Sequence, residues 1–167
     1  MRRISPVVLV VPVLLIALAG CGSSGHSTSS SAATSTEPSI STFTSEFRTQ
    51  KAALGALGKD VGAAVQGARH QTDSALTQQF QGLASRATAL AGTLGQLNAP
   101  TQYKSDLSAL QSSITQVAGT LNSIEAAAAA HDANAAKAGG EAIVANAQQV
   151  KNIDNTLSAK LGLPTSP

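Results

Sequence analysis

Between Leu76 and Leu97 the apolar positions are Leu76, Phe80, Leu83, Ala87, Leu90, Leu94 and Leu97, in steps that alternate four and three. A second run, Tyr103, Leu107, Leu110, Ile114, Val117, Leu121 and Ile124, repeats the pattern. Such seams place one narrow apolar stripe along each of two helices. Phe43, Phe47, Leu54, Leu57, Val61 and Val65 follow the same period with a polar gap at Gln50, and Ile143, Ala147, Val150, Ile153, Leu157 and Leu161 follow it less regularly. No stretch sustains an alternation of period two, so four helices and no sheet are predicted.

The breaks between them are legible. His70-Gln71-Thr72-Asp73 separates the first two stretches, and Thr72 or Asp73 can cap a new helix by accepting from its free N–H groups. Asn98-Ala99-Pro100 ends the second, because proline restricts the residue before it, and Pro100 can open the third. His131-Asp132 separates the third and fourth, with Asp132 as cap. Gly162-Leu163-Pro164 closes the fourth through a left-handed glycine. A break at Gly139-Gly140 would leave helices too unequal to cover each other. A break at 131 gives four of about 26 to 30 residues, near 40 to 45 Å each. The glycine pair is therefore expected inside the fourth helix as a weak spot or kink. Matched helices and short turns predict an all-α, up-down-up-down antiparallel four-helix bundle over residues 42–163. An intermolecular coiled coil is the runner-up. Gly55, Gly58, Gly62 and Gly67 fall in the first helix and Gly82, Gly92 and Gly95 in the second. Each costs about 1 kcal/mol against alanine, and close helix packing is the expected reason. A groove in which a ligand approaches the backbone is the alternative.

Ahead of the bundle the pattern changes twice. Met1 to Ser5 carry Arg2 and Arg3 and no acid, and Val7 to Ala19 is apolar but for Pro12. That run is shorter than the roughly 20 residues a bilayer span needs, and its layout is that of a secretory signal over residues 1–20. Gly22 to Ser41 holds 12 Ser or Thr in 20 residues. Such a segment cannot bury enough surface to offset its ordering entropy, so residues 21–41 are expected to form a flexible tether with a reach of roughly 25 Å.

The chain's one cysteine sits at the junction of the two. Leu18-Ala19-Gly20-Cys21 resembles the lipobox of bacterial lipoproteins at all four positions. The resemblance implies that the Cys21 sulfur takes a diacylglyceryl group, that the chain is cut just before it, and that more than one acyl chain then anchors the protein stably to a membrane. It places the mature protein outside the cell, on the outer face of the membrane or elsewhere in the envelope. The texture of residues 43–164, including "LNAPTQYKSDLSAL", is similar to small alanine-rich helical lipoproteins of actinobacteria. That similarity brings no activity with it.

Charge and composition narrow the chemistry. Beyond Cys21 nine Lys and Arg face nine Asp and Glu. A neutral body without a basic cluster argues against nucleic acid as a partner. A single cysteine excludes an internal disulfide and an all-cysteine zinc site. The sequence has no Glu-x-x-His pair, no His-Glu-x-x-His helix, no phosphate-binding glycine loop and no Gly-x-Ser-x-Gly elbow. No catalytic residue and no cofactor is predicted. In an up-down bundle the first and third turns share one end, which would gather His70, Asp73, His131 and Asp132. Such ligands suit zinc or copper, although solvated turn residues and helix caps account for them as well.

The expected function is that of a non-enzymatic, membrane-anchored envelope lipoprotein whose bundle binds a protein or another envelope component. The alternative is a carrier that holds a lipid or other apolar small ligand between its helices. A continuous apolar pocket of several hundred Å3 would distinguish the carrier from an interaction module with a dry core.

Overall fold

The computed structural model describes residues 37–165. The expected signal peptide, Cys21 and most of the Ser/Thr-rich tether lie outside the described residues. Four long helices follow in chain order: α1 (Ile40–Gly67), α2 (Asp73–Gly95), α3 (Thr101–Ala129) and α4 (Ala133–Lys160), with a single 3-10 turn at Ala68–His70. No strand occurs among the described residues.

The predicted seams account for most of the core. All seven seam residues of α3, from Tyr103 to Ile124, are buried, as are Phe80, Leu83, Ala87, Leu90 and Leu94 on α2. α2 is 23 residues long, shorter than expected, because the chain leaves the helix after Gly95. There Leu97 N–H donates to Leu94 and Ala99 N–H to Leu97, and buried Ala99 and Pro100 lead into α3. At the other boundary α1 begins at Ile40, inside the segment read as tether.

The turns are built as their residues predict. Thr72 caps α2, its hydroxyl accepting from Ala75 N–H at 3.3 Å. Asp132 caps α4, accepting from Asn134 and Ala135. α3 and α4 each end in the paired hydrogen bonds of a left-handed C-terminal turn. After α4 the turn residue is Gly162, at φ 66°, with Leu163 N–H donating to Ser158 and Gly162 N–H to Ala159. After α3 the same position is held by His131, at φ 55°, with Asp132 N–H donating to Ala127 and His131 N–H to Ala128. The turn between α3 and α4 thus rests on a non-glycine residue in the left-handed region, where the backbone is strained.

α4 runs unbroken through Gly139-Gly140. A Cβ at Gly139 would stand 2.5 Å from Cγ1 of Ile124, so this glycine lets α4 press against α3. The expected weak spot is a close-packing point instead. Asp106–Lys160, at 2.6 Å, and Thr120–Asn146, at 2.8 Å, tie the same two helices together. α1 contributes buried residues near its start and again at Leu57, Val61 and Ala64. Phe43 and Phe47 are fully buried, and the Phe43 ring stacks on Tyr103 of α3 with centroids 5.7 Å apart. Asp60 pairs with Arg86 of α2 on the exposed side.

Candidate functional site

Beyond its aromatic anchor α1 forms one wall of an apolar groove of about 520 Å3. Leu54, Leu57, Val61 and Val65 contribute its apolar side chains from α1. Ile143, Val144, Ala147 and Val150 face them from α4, and Ile114 and Val117 of α3 complete the lining. Val144 is 56% exposed, which places an uncovered branched side chain on the lining.

Three glycines widen this space. Gly55, Gly58 and Gly62 all line it, and a Cβ built at any of them meets no heavy atom within 4 Å. Close packing, the expected reason for glycine here, does not apply to these three. They follow the apolar seam Leu54, Leu57, Val61 one residue behind, in the same steps of three and four. A bare strip of helix backbone therefore runs beside the core stripe.

The charged groups of the lining are Lys51, Lys151 and Asp154. Lys51 is the first α1 residue of the groove and Asp154 the last from α4, and the two are joined by an ion pair of 2.5 Å. This marks one end of the groove. The Asp154 side chain is only 5% exposed and that of Lys51 17%. The buried Ser158 hydroxyl lies 3.4 Å from the second Asp154 oxygen. A charge so deep is retained only with a partner and hydrogen bonds, and both are present.

Between the start of α2 and the α3–α4 turn, His131 Nδ1 and Asp73 Oδ2 lie 2.5 Å apart, with both side chains largely exposed. His70 sits in the 3-10 turn, and the Asp132 carboxylate is engaged in capping α4. The four residues considered as metal ligands thus yield one close pair. Among the described residues no group of three or more His, Cys, Asp or Glu is placed to hold a metal ion. No described helix is long and apolar enough to cross a membrane.

The groove residues were only half visible in the sequence. Ala147 lies on the α4 seam yet is exposed, and Lys51 and Asp154 carry no motif. The signal that was present is the glycine strip parallel to the apolar one. Comparison with known proteins adds no relative: no protein-family model, curated protein or solved structure matches the chain.

Proposed function

We propose that the chain is an exported cell-envelope lipoprotein, anchored through lipid on Cys21, whose non-enzymatic helical bundle carries an apolar small ligand between α1 and α4. The observation that carries this reading is the groove. Its volume of about 520 Å3 falls within the roughly 300–1,000 Å3 of small-molecule sites. Its walls are aliphatic side chains and bare glycine backbone. The carrier is thereby favoured over the interaction module that the sequence put first. Docking of a protein partner is the second reading, supported by the exposure of Val144 on the groove lining.

An up-down-up-down antiparallel arrangement accounts for the cross-links. Asp106, early in α3, meets Lys160 at the end of α4, while Thr120, later in α3, meets Asn146 earlier in α4. Lys51 of α1 meets Asp154 late in α4. In this arrangement the groove lies beyond the aromatic anchor, away from the end of α1 that continues into the tether. The Ser/Thr-rich tether then gives the bundle reach from the membrane.

Two experiments test the proposal. Cys21→Ser should leave an unprocessed precursor that takes up no labelled fatty acid; normal processing and acylation would reject the lipoprotein reading. For the carrier, the full chain in phosphatidylcholine vesicles is irradiated with a neutral photoreactive alkyl probe. Saturable labelling of peptides spanning 54–65 and 143–150 is expected, and Gly58→Leu/Gly62→Leu should remove it. Labelling that is unsaturable, or indifferent to the leucines, would reject the carrier.

A further inference from the structure

We infer that the groove takes one long aliphatic chain lying lengthwise, its tail against the Lys51–Asp154 pair and its polar head at the Gln66–Val144 end. This rests on the carrier reading and specifies the class of its ligand and the pose.

The lining gives the tail. On α1 it runs from Lys51 to Gln66, which at a rise of about 1.5 Å per residue is roughly 22 Å. One acyl chain crosses half of a hydrocarbon core about 30 Å thick, so an extended chain of membrane length lies within this span. Gly55, Gly58 and Gly62 leave a strip of the α1 wall without side chains, and nothing stands within 4 Å of where a Cβ would be. The aromatic residues of the body, Phe43, Phe47, Phe80 and Tyr103, are all absent from the lining. An aromatic ligand therefore gains no ring–ring attraction here. Methylene groups gain from aliphatic walls in proportion to the area they remove from water.

Depth gives the direction. From the Lys51–Asp154 pair the α1 lining extends to Gln66 and the α4 lining to Val144 and Ile143. Near the pair the walls are closed, with Leu57, Val150 and Asp154 buried. At the opposite end Val144 is 56% exposed, and Gln66 is exposed as well. The charges of the lining are already engaged, Lys51 with Asp154 and Lys151 in an interaction of its own. An ionised head at the closed end would lose its water without meeting an uncommitted counter-charge, and an uncharged polar head would lose hydration there too. At the open end the head stays hydrated, and the Gln66 amide offers both donors and an acceptor. No charged residue of the lining belongs to that end, so the groove selects the tail and is indifferent to the charge of the head.

The test uses the full chain in phosphatidylcholine vesicles with two photoreactive hexadecanols, one carrying a diazirine at its last carbon and the other beside the hydroxyl. The terminal diazirine should label peptides spanning 51–57 and 150–154, and the head-side diazirine peptides spanning 62–66 and 143–147. Palmitate with a terminal diazirine should label the same peptides as the terminally labelled alcohol, with the same saturation. Gln66→Lys should raise palmitate labelling by up to about five-fold and Gln66→Asp should lower it by a similar factor, the weight of an exposed ion pair, while hexadecanol labelling is unchanged in both. Gln66 is exposed, so neither variant disturbs the core. A reversed pattern, the same peptides from both diazirine positions, or palmitate labelling that ignores the charge at residue 66 would overturn the pose and leave the carrier standing. A preference of the parent for acid or alcohol would overturn its indifference to the head. Absence of saturable groove labelling by any of the probes would overturn carrier and pose together and return the groove to a protein partner.

Discussion

Lys51 on α1 and Asp154 on α4 form an ion pair of 2.5 Å in which both side chains are largely withdrawn from solvent. The pair joins the two helices that otherwise stand apart as groove walls. Removing one member of a buried pair strands a charge, which costs more than the pair contributes.

Lys51→Met should therefore destabilise the bundle by about 3 kcal/mol in denaturant unfolding. Lys51→Met/Asp154→Asn should recover most of that loss, because no charge is left uncompensated. If the double variant is as unstable as the single one, desolvation of Asp154 is not what the pair offsets.

The glycine strip should separate stability from binding. Gly58→Ala and Gly62→Ala meet no neighbour within 4 Å and each gains helix propensity of about 1 kcal/mol. Both variants should melt a few degrees higher by circular dichroism while taking up less apolar probe, because the added methyl groups narrow the groove. Gly139→Ala should do the reverse and lower the melting temperature, since its Cβ would collide with Ile124. Equal responses at the three positions would mean that the groove is not held open in solution.

The turn after α3 offers a sharper ordering. His131 holds a left-handed conformation at φ 55°, which costs a non-glycine residue about 1 kcal/mol. Its contact with Asp73 is largely exposed, and exposed pairs contribute little. His131→Gly should thus be more stable than the parent and His131→Ala equal to it or slightly weaker, as read by the urea midpoint. A parent more stable than both would show that the Asp73 contact outweighs the backbone strain.

The sequence disclosed the faces of the helices but not the spaces between them. The α3 stripe from Tyr103 to Ile124 is buried throughout because its neighbours cover it along its length. On α4 the same period put Ala147 in the core, yet it is exposed because α1 stands off there. A seam specifies direction from the helix axis; the distance to the facing helix depends on the residues of both. Glycine is ambiguous for the same reason. Gly139 permits close approach to Ile124, whereas Gly58 faces open space, and nothing local separates the two cases. Caps were easier to locate, since Thr72 and Asp132 accept from the N–H groups two or three residues ahead. The gathering of His70, Asp73, His131 and Asp132 presumed that sharing an end brings side chains together. The structure brings Asp73 and His131 together and engages Asp132 in capping α4.

Glu37 supplies the last prediction. Pro100 precedes α3 with no side chain to cap it, and the carboxylate of Glu37, 64 residues earlier, accepts from Thr101 N–H at 2.8 Å. That backbone hydrogen bond, foremost, lowers the Glu37 pKa below the usual glutamate range, helped by the Thr101 side chain and the Lys104 charge against a small opposing effect of burial. A lowered folded-state pKa means that the contact stabilises the folded chain above the unfolded value of roughly 4.3. That contribution disappears as pH falls through the lowered value. The Thr101 amide resonance should therefore titrate with a midpoint below the ordinary glutamate range, and Glu37→Gln should abolish the titration. Acid should release the segment before α1 from the start of α3 while α2, α3 and α4 stay packed, visible as faster hydrogen exchange confined to the first turn of α3. A Thr101 resonance that titrates at the ordinary value would show that Glu37 does not cap α3 in solution.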